Sequence, residues 1–371
     1  MNDVVFPDNW KDTRVVLSHD WLTGMRGGER VLELLCAGFP AAPIFTLIHN
    51  PSAISDAINR HPVTSSWLQH VPAIMKYYRY FLPLFPSTVE RMPVPEADLL
   101  ISTSHCVAKG LVPPRGAKHL CYCFTPMRYA WTFYGEYFGR NPLKKALLSP
   151  ALGRLRDWDR RASDRVDIFV TLSRHVQRRI KEFYDRDSDV VYPPVNVHYF
   201  TPGAAGHDGF DLLVSALVPY KRVDLAVSAY SKLGYPLKVV GTGTETESLR
   251  RGAGPNVEFC GWLPDERVRE LYRRCRLLVF PGEEDFGIVP LEAQACGKPV
   301  VAFRRGGVLE TIEDGVTGLF FPEQTDASLL AAVEEAAGRT WDPARIRRHA
   351  ERFGPQPFID GLAAGIRRSL A

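Results

Sequence analysis

The sequence predicts two α/β domains, each built on a parallel sheet, and three observations carry that expectation. Short apolar runs alternate with segments of helical period along most of the chain, as in parallel strands joined by crossover helices. The 371 residues are too many for one simple core and enough for two domains of ordinary size. The stretch Pro193-Pro-Val-Asn-Val-His-Tyr-Phe-Thr-Pro202 fits neither period, and its prolines divide the alternation in two.

The first half opens with a strand at Val15–Leu17. A Gly-rich turn, Thr23-Gly-Met-Arg-Gly-Gly28, then leads into a helix with Val31, Leu34 and Leu35 on one face. Further strands are predicted at Ile44–Ile48, Leu99–Ser102, His119–Cys123 and Asp167–Thr171, and a helix at Ser173–Phe183. The second half is predicted as strand 212–217, helix 223–233, strands 237–240 and 257–259, helix 265–274, strand 277–280, helix 290–296 and strand 299–303. Ligands of such folds bind beyond the carboxyl ends of the strands.

Composition narrows the function class. Hydrophobic residues make up 45% and charged residues 24%, as in a soluble globular protein. No stretch approaches the ~20 apolar residues of a membrane-spanning helix, and Met1–Lys11 is polar and reads as neither signal peptide nor anchor. The expectation is a cytoplasmic protein. The seven cysteines form no zinc-like pair of pairs and are expected to be free core thiols. The net charge is +4, divided as +6 over residues 1–200 and −2 over the rest. So small an excess excludes nucleic acid as the expected partner but suits an N-terminal half that meets an anionic surface or substrate.

Pro281-Gly-Glu-Glu-Asp-Phe-Gly-Ile-Val-Pro-Leu-Glu-Ala-Gln-Ala-Cys-Gly-Lys-Pro299 is the most informative stretch. It follows an apolar strand, Pro290 suits the first position of a helix, and Gly297 and Pro299 end it. Amides at a helix N-terminus suit phosphate, and carboxylates accept hydrogen bonds from sugar hydroxyls. Taken alone, Glu292 could equally complement the helix dipole. Glu284-x7-Glu292, with Phe286-Gly287 and Pro290-Leu291 between them, resembles the signature of glycosyltransferase family 4, a retaining family of the GT-B fold with two Rossmann-like domains. The resemblance covers nearly all of the chain and is strongest over 212–322. It implies that Glu284 lies against the donor sugar and Glu292 binds the nucleotide ribose, with Phe286, Gly287, Ile288 and Val289 beside the donor. It also implies a C-terminal helix, 357–370, that returns to the first domain. The domains are then 1–196 with 355–371, for the acceptor, and 197–354, for the nucleotide-sugar.

Ser215-Ala-Leu-Val-Pro-Tyr-Lys-Arg-Val-Asp-Leu225 sets Lys221 and Arg222 at a helix N-terminus, the unfavourable end for a cation by ~0.3–1 kcal/mol each. A bound anion would reverse that sign, and two solvated cations beside Asp224 are the bland alternative. The segment resembles the family's diphosphate-binding Gly-Arg-Leu-x-x-x-Lys, with Lys221 in the lysine position and Ala216 where the family has Arg. Arg222 is the candidate substitute. Lys221 and Glu284 are thus the expected catalytic pair.

His19-Asp-Trp-Leu-Thr-Gly-Met-Arg-Gly-Gly-Glu-Arg30 resembles the family's N-domain glycine loop, with Gly27 and Gly28 facing the donor diphosphate and His19 and Asp20 as acceptor contacts. For His19, a buried and satisfied imidazole is the alternative. Cys121-Tyr-Cys-Phe-Thr-Pro-Met-Arg-Tyr-Ala-Trp131 resembles a subgroup that builds bacterial surface polysaccharides, mannosyltransferases among them. Its members read His-Thr-Pro where this chain has Phe124, which implies a donor without a 6-hydroxyl, a different donor pose or reduced activity. Arg128 is a candidate phosphate contact on donor or acceptor. Gly261 and Trp262 are expected to border the base.

No Asp-x-Asp stands where a metal-dependent transferase would use it, so neither cofactor nor essential metal is expected. The donor is expected to be GDP- or UDP-linked, GDP-mannose first, and the acceptor a saccharide or a polyprenyl-diphosphate-linked sugar. Aromatic and basic residues interleave over 67–92, with Tyr77, Tyr80 and Phe81 set to share a helical face. That composition suits either the headgroup region of the inner face of the plasma membrane or packing on the sheet. The competing readings are a sugar-nucleotide epimerase, a phosphorylase-like enzyme and a catalytically dead binding protein. A dinucleotide-dependent dehydrogenase is disfavoured, because Gly241-Thr-Gly243 is too partial a fingerprint.

Overall fold

The computed structural model describes residues 4–10, 12–131, 142–204 and 206–370; the polar N-terminal stretch lies partly outside them. The chain forms two compact units, Met1–Pro194 with Gln356–Ala371, and Val195–Pro355. Each is an α/β unit on a wholly parallel sheet, the Rossmann-like architecture expected from the alternating pattern.

The first unit carries seven strands: β1 (Val15–His19), β2 (Ile44–Thr46), β3 (Val63–Ser65), β4 (Leu99–Ser104), β5 (Lys118–Cys123), β6 (Ile168–Thr171) and β7 (Ser188–Val190). Their order is β3-β2-β1-β4-β5-β6-β7. Every residue of β1 and β4 is buried, so both faces of these strands are covered. That explains why they read as continuous apolar runs rather than alternating ones. The edge strands β3 and β7 were not expected. Each is three residues long, half-buried and carries two polar residues, so neither presents an apolar run.

The second unit carries β8 (Asp211–Val214), β9 (Leu237–Val240), β10 (Val257–Gly261), β11 (Leu278–Phe280), β12 (Val300–Phe303) and β13 (Gly318–Phe321), in the order β10-β9-β8-β11-β12-β13. β13 was also not expected. It is pinned at Gly318, where a Cβ would stand 2.0 Å from the Val300 carbonyl oxygen. The helix Pro355–Leu370 starts two residues before its expected boundary and packs within the first unit. Phe358 sets its ring 5.5 Å from that of Tyr122, and a Cβ at Gly361 would meet the Val191 methyls at 2.9 Å.

Strand order reverses once in each sheet, between β1 and β4 and between β8 and β11. Crevices at such reversals are where ligands enter open α/β sheets.

The aromatic stretch departs from its expected face. It breaks into a turn of helix at Ile74–Tyr77, a 3-10 segment at Tyr78–Leu84 and a helix at Phe85–Glu90. Tyr78, Leu82 and Phe85 enter the core, whereas Trp67, Tyr77, Leu84 and Tyr80, which is 81% exposed, face solvent. Phe81 packs against the core instead of joining Tyr77 and Tyr80. The change from 3.6 to 3.0 residues per turn moves it off their side. All seven cysteines are free and six are buried, with Cys260 half-buried at the end of β10.

His119 sits wholly inside the first sheet, with Nε2 2.8 Å from the Ser102 hydroxyl. Burial pushes its imidazole down to about 3. In the unfolded chain the ring takes a proton near pH 6.5. Between these values the unfolded state binds the extra proton, so stability falls as the pH falls, by up to about 1.4 kcal/mol per unit. His119→Gln is expected to flatten the melting temperature between pH 6.5 and 5; an unchanged slope would contradict this account.

Candidate functional site

The strongest constellation lies in the second unit, where β8 and β11 diverge. The chain leaves β8 through Ser215–Val218, makes a short 3-10 turn at Pro219–Lys221 and enters the helix Val223–Leu233. It leaves β11 through Pro281–Gly287 and enters the helix Ile288–Ala295. Lys221 and Glu284 thus come from the two sides of the reversal, and the Lys221 ammonium is ion-paired with a Glu284 carboxylate oxygen. Their side chains are 18% and 15% exposed, shielded enough for the charges to be strong and open enough for a ligand to reach them.

Glycines let the surrounding loops close on this pair. A Cβ at Gly282 would stand 2.8 Å from the Lys221 carbonyl oxygen, and one at Gly306 2.3 Å from the Glu284 carbonyl oxygen. The Gly307 amide donates to that same Glu284 oxygen at 2.8 Å. On the other side, Cβ atoms at Gly241 and Gly243 would lie 1.9 and 2.1 Å from the carbonyl oxygens of Ser215 and Leu217. Four loops at the carboxyl ends of β8, β9, β11 and β12 are therefore packed backbone to backbone. Gly306, Gly307 and Gly282 were not singled out from the sequence. For Gly306 and Gly307 the signal was a Gly-Gly pair two residues beyond an apolar strand.

The helix Ile288–Ala295 begins two residues earlier than expected. Gly287, at φ 103°, makes the left-handed turn into it, which no other residue enters cheaply. Pro290 is therefore the third helical residue, where its missing N–H still costs no intrahelical bond. Ile288 and Val289 are half-buried and lead the first turn. Phe286 instead turns into the core, its ring 6.0 Å from that of Phe353. Glu292 sits one turn into the helix and accepts a hydrogen bond from the Tyr272 hydroxyl at 3.0 Å. Tyr272 is fully buried, and burial first, then the Glu292 charge, holds its hydroxyl protonated. Glu292 is therefore more than a complement to the helix dipole: one oxygen is anchored. Gly261 ends β10 at φ 69°, and Trp262 beyond it is 73% exposed.

Arg222 departs from its expected role. Its guanidinium lies against the Asp224 carboxylate at 3.1–3.3 Å and donates to Gln324 Oε1 at 3.1 Å. Gln324 in turn donates to the Pro281 carbonyl at 2.9 Å. The side chain ties the β8 loop to the β11 loop, and the residue pays for this with a left-handed backbone, φ 51°. The partnership with Asp224, set out above as the bland alternative, is the one observed.

In the first unit, His19, Asp20, Gly27, Gly28, Phe124 and Arg128 all fall at the carboxyl ends of β1 and β5, on the loops that follow or at the start of the next helix. The register places His19 opposite Thr103 and Ser104 opposite Cys123. His19 Nδ1 donates to the Thr103 hydroxyl at 2.7 Å, because that hydroxyl itself donates to the Ser18 carbonyl. Its Nε2 lies 3.7 Å from Glu29 Oε1. Glu29 also accepts from the Arg26 amide at 3.0 Å and so fixes the start of the helix Gly27–Gly38. Burial would raise its carboxyl, but the neighbouring His19 imidazole prevails and lowers it. A Cβ at Gly28 would stand 3.3 Å from the Phe124 ring and 3.5 Å from His19 Cε1. Gly28, His19 and Phe124 thus form one cluster. Arg128 opens the short helix Arg128–Trp131 and is half-buried.

Asp20, expected to contact the acceptor, is buried and accepts four backbone hydrogen bonds, from His105, Cys106, Val107 and Ala108, at 2.6–3.0 Å. His105 Nδ1 adds a fifth partner at 2.9 Å. Burial alone would raise this carboxyl; the His105 charge and the hydrogen bonds overcome it and hold it well below the usual carboxylate range. No oxygen is left for a substrate. The sequence signal that could have found its partner is His105 itself, a polar residue directly after the apolar strand β4.

Comparison with known proteins follows this division. Residues 202–352 match the family model of the glycosyl transferases, group 1. An uncharacterized glycosyltransferase of Methanocaldococcus jannaschii is 31% identical over 212 residues, 56% of this chain and 60% of that protein. The D-inositol 3-phosphate glycosyltransferase of Acidothermus cellulolyticus is 32% identical over 245 residues, 55% of this chain and 54% of that one. The chain thus spans little more than half the length of these curated relatives. Among solved structures, Anabaena HepE in complex with UDP and glucose superposes with a TM-score of 0.70 at 16% identity, over 96% of this chain and 100% of that one. Sucrose-phosphate synthase from Thermosynechococcus elongatus gives 0.70 at 18%, over 96% and 98%. These likenesses establish the fold, GT-B with two Rossmann-like halves, as expected.

Proposed function

We propose that the protein is a glycosyltransferase that moves a sugar from a nucleotide-sugar to a hydroxyl acceptor. The observation that carries the reading is the Lys221–Glu284 pair at the strand-order reversal of the second unit, inside loops that close tightly through glycine. In this reading Lys221 and the first amides of the helix Ile288–Ala295 take up the charge of the leaving diphosphate. Glu284 moves from Lys221 to the donor sugar, and Glu292, anchored by Tyr272, binds the ribose. The bond from the anomeric carbon to the phosphate oxygen breaks with its electron pair going to the diphosphate. The acceptor oxygen bonds to that carbon on the same face, and its proton passes to the donor phosphate.

No metal is required in this scheme, and activity that survives a chelator is expected. GDP-mannose is the first donor to test and UDP-sugars the second, since HepE is described in complexes with UDP and with UDP-glucose. The relatives named for D-inositol 3-phosphate make a polyol phosphate a reasonable acceptor beside saccharide and polyprenyl-linked ones. A role in cell-surface polysaccharide synthesis belongs to this proposal. Thermal shift across a panel of nucleotide-sugars tests it, because a ligand that binds only the folded state raises stability. Absence of a shift with every GDP- and UDP-sugar would contradict it.

Phe124 is proposed to set donor preference. Its ring fills the space beside Gly28 and His105, 6.5 Å from the latter's ring centre, and offers no hydrogen bond to a 6-hydroxyl. Phe124→His is expected to shift preference from a deoxy sugar or pentose towards mannose by about tenfold. An unchanged ratio of kcat/KM for the two donor types would remove the idea.

Peripheral membrane contact is proposed for the exposed face of residues 67–84. Tyr77 and Tyr80 have ring centres 6.2 Å apart, Lys76 lies over the Tyr77 ring at 5.2 Å, and Trp67 is exposed. Among the described residues no helix is long and apolar enough to cross a membrane. Co-sedimentation with anionic but not neutral liposomes is expected, reduced in Trp67→Ser with Tyr80→Ser; equal sedimentation with both lipids would contradict it.

A further inference from the structure

We propose that His105 is an acceptor-binding residue, whose Nε2 receives a hydrogen bond from the hydroxyl of the incoming alcohol or sugar. The inference rests on the glycosyltransferase reading and adds to it a residue that neither the motifs nor the comparisons single out.

The placement comes first. The order of the first sheet reverses between β1 and β4. Asp20 follows directly on β1 and His105 directly on β4, so the pair occupies the crevice position of this unit. Since Ser104 is in register with Cys123, His105 and Phe124 emerge side by side.

The orientation follows from the hydrogen bonds. Asp20 is held by four amides, from His105 to Ala108, and cannot turn. Its Oδ2 lies 2.9 Å from His105 Nδ1, and a carboxylate only accepts, so Nδ1 carries the proton. In the neutral ring Nε2 is then the acceptor. The Trp21 ring meets the imidazole edge-on, with centres 4.6 Å apart, and the Phe124 ring centre lies 6.5 Å away. The ring is fixed in position and tautomer yet keeps 31% of its side chain exposed. Among the described residues Nε2 has no hydrogen-bond partner. A buried structural histidine would have both nitrogens tied or withdrawn, as His119 is wholly enclosed. His105 presents one nitrogen, beside the rings of Trp21 and Phe124. Asp20 acts here only by positioning the ring.

The test uses the full chain with UDP-glucose and GDP-mannose as donors. Octyl α-mannoside, octyl β-glucoside and D-myo-inositol 3-phosphate serve as acceptors. His105→Phe is expected to raise the acceptor KM about tenfold or more, while donor KM and donor hydrolysis by water stay within about twofold. His105→Gln, whose side-chain carbonyl can accept the same hydrogen bond, is expected to recover part of the loss. Unaltered acceptor KM in both variants would overturn the inference and leave the transferase reading standing. Wild-type protein that releases no nucleotide from either donor with any acceptor would overturn both. A parallel loss of donor hydrolysis in both variants would assign His105 to structure and also overturn it.

Discussion

Replacing Lys221 with alanine is expected to lower the rate of sugar transfer about 10²–10³-fold, the usual cost of removing one preorganised group that stabilises developing charge. This ammonium is paired with Glu284. The carboxylate balances a cation that would otherwise be left shielded and uncompensated, an arrangement that costs several kcal/mol when broken from one side. A nucleoside diphosphate offers the same balance from the ligand, and binding then frees Glu284. The two substitutions should therefore act in opposite senses on nucleotide affinity. Lys221→Ala removes the cation and weakens UDP or GDP. Glu284→Gln leaves the cation with no competing carboxylate, so nucleotide affinity is kept or raised while transfer falls. Calorimetric titration with UDP and GDP, beside initial rates, separates the two. Equal weakening of nucleotide by both variants would contradict the exchange of partners.

Asp20→Asn is expected to cost about 3–5 kcal/mol of stability, enough to unfold a domain of ordinary marginal stability. Asparagine keeps one carbonyl oxygen, but its amide would point two N–H groups at a nest of backbone donors. The four amides after β4 would lose part of their partners, each orphan costing about 1–3 kcal/mol. The same carboxylate shapes the acid response. Its folded-state pKa is depressed below the unfolded value of about 3.9, so its contribution is complete above about pH 4 and is lost as the pH falls further through the depressed value. Chemical denaturation of wild type and variant at pH 7 and at about pH 3 measures both effects. A variant as stable as wild type at pH 7 would show that the nest does not need the charge.

Much of the fold was legible because the central strands are buried on both faces and read as short apolar runs. Val15–Leu17 and Leu99–Ser102 could be placed this way, and so could Leu277–Phe280. The strands that escaped, Val63–Ser65, Ser188–Val190 and Gly318–Phe321, are edge strands of three or four residues, where pairing rather than apolar content defines the element. In the second unit the candidate site was legible because one continuous segment carries Glu284, Gly287 and Glu292. The first unit was harder to read. Asp20 and His105 are 85 positions apart in the chain, and only the parallel pairing of β1 with β4 brings them together. A sequence shows which residues follow a strand, but not which strands are neighbours. For the same reason the sequence shows Asp20 after a strand but not the four amides and the imidazole that it meets. Arg222 is the complementary case. Its charge pointed to phosphate, whereas local geometry, a left-handed backbone beside Asp224 and Gln324, has committed its guanidinium to the loop.

The central claim is that the second unit presents Lys221 and Glu284 to the diphosphate and sugar of a nucleotide-linked donor. Mass spectrometry of the protein incubated with GDP- and UDP-sugars and a set of glycoside and inositol phosphate acceptors tests it most directly. The account predicts one nucleoside diphosphate released for each glycosylated acceptor formed, with product lost in both Lys221→Ala and Glu284→Gln. Product formed at the wild-type rate by either variant would contradict it.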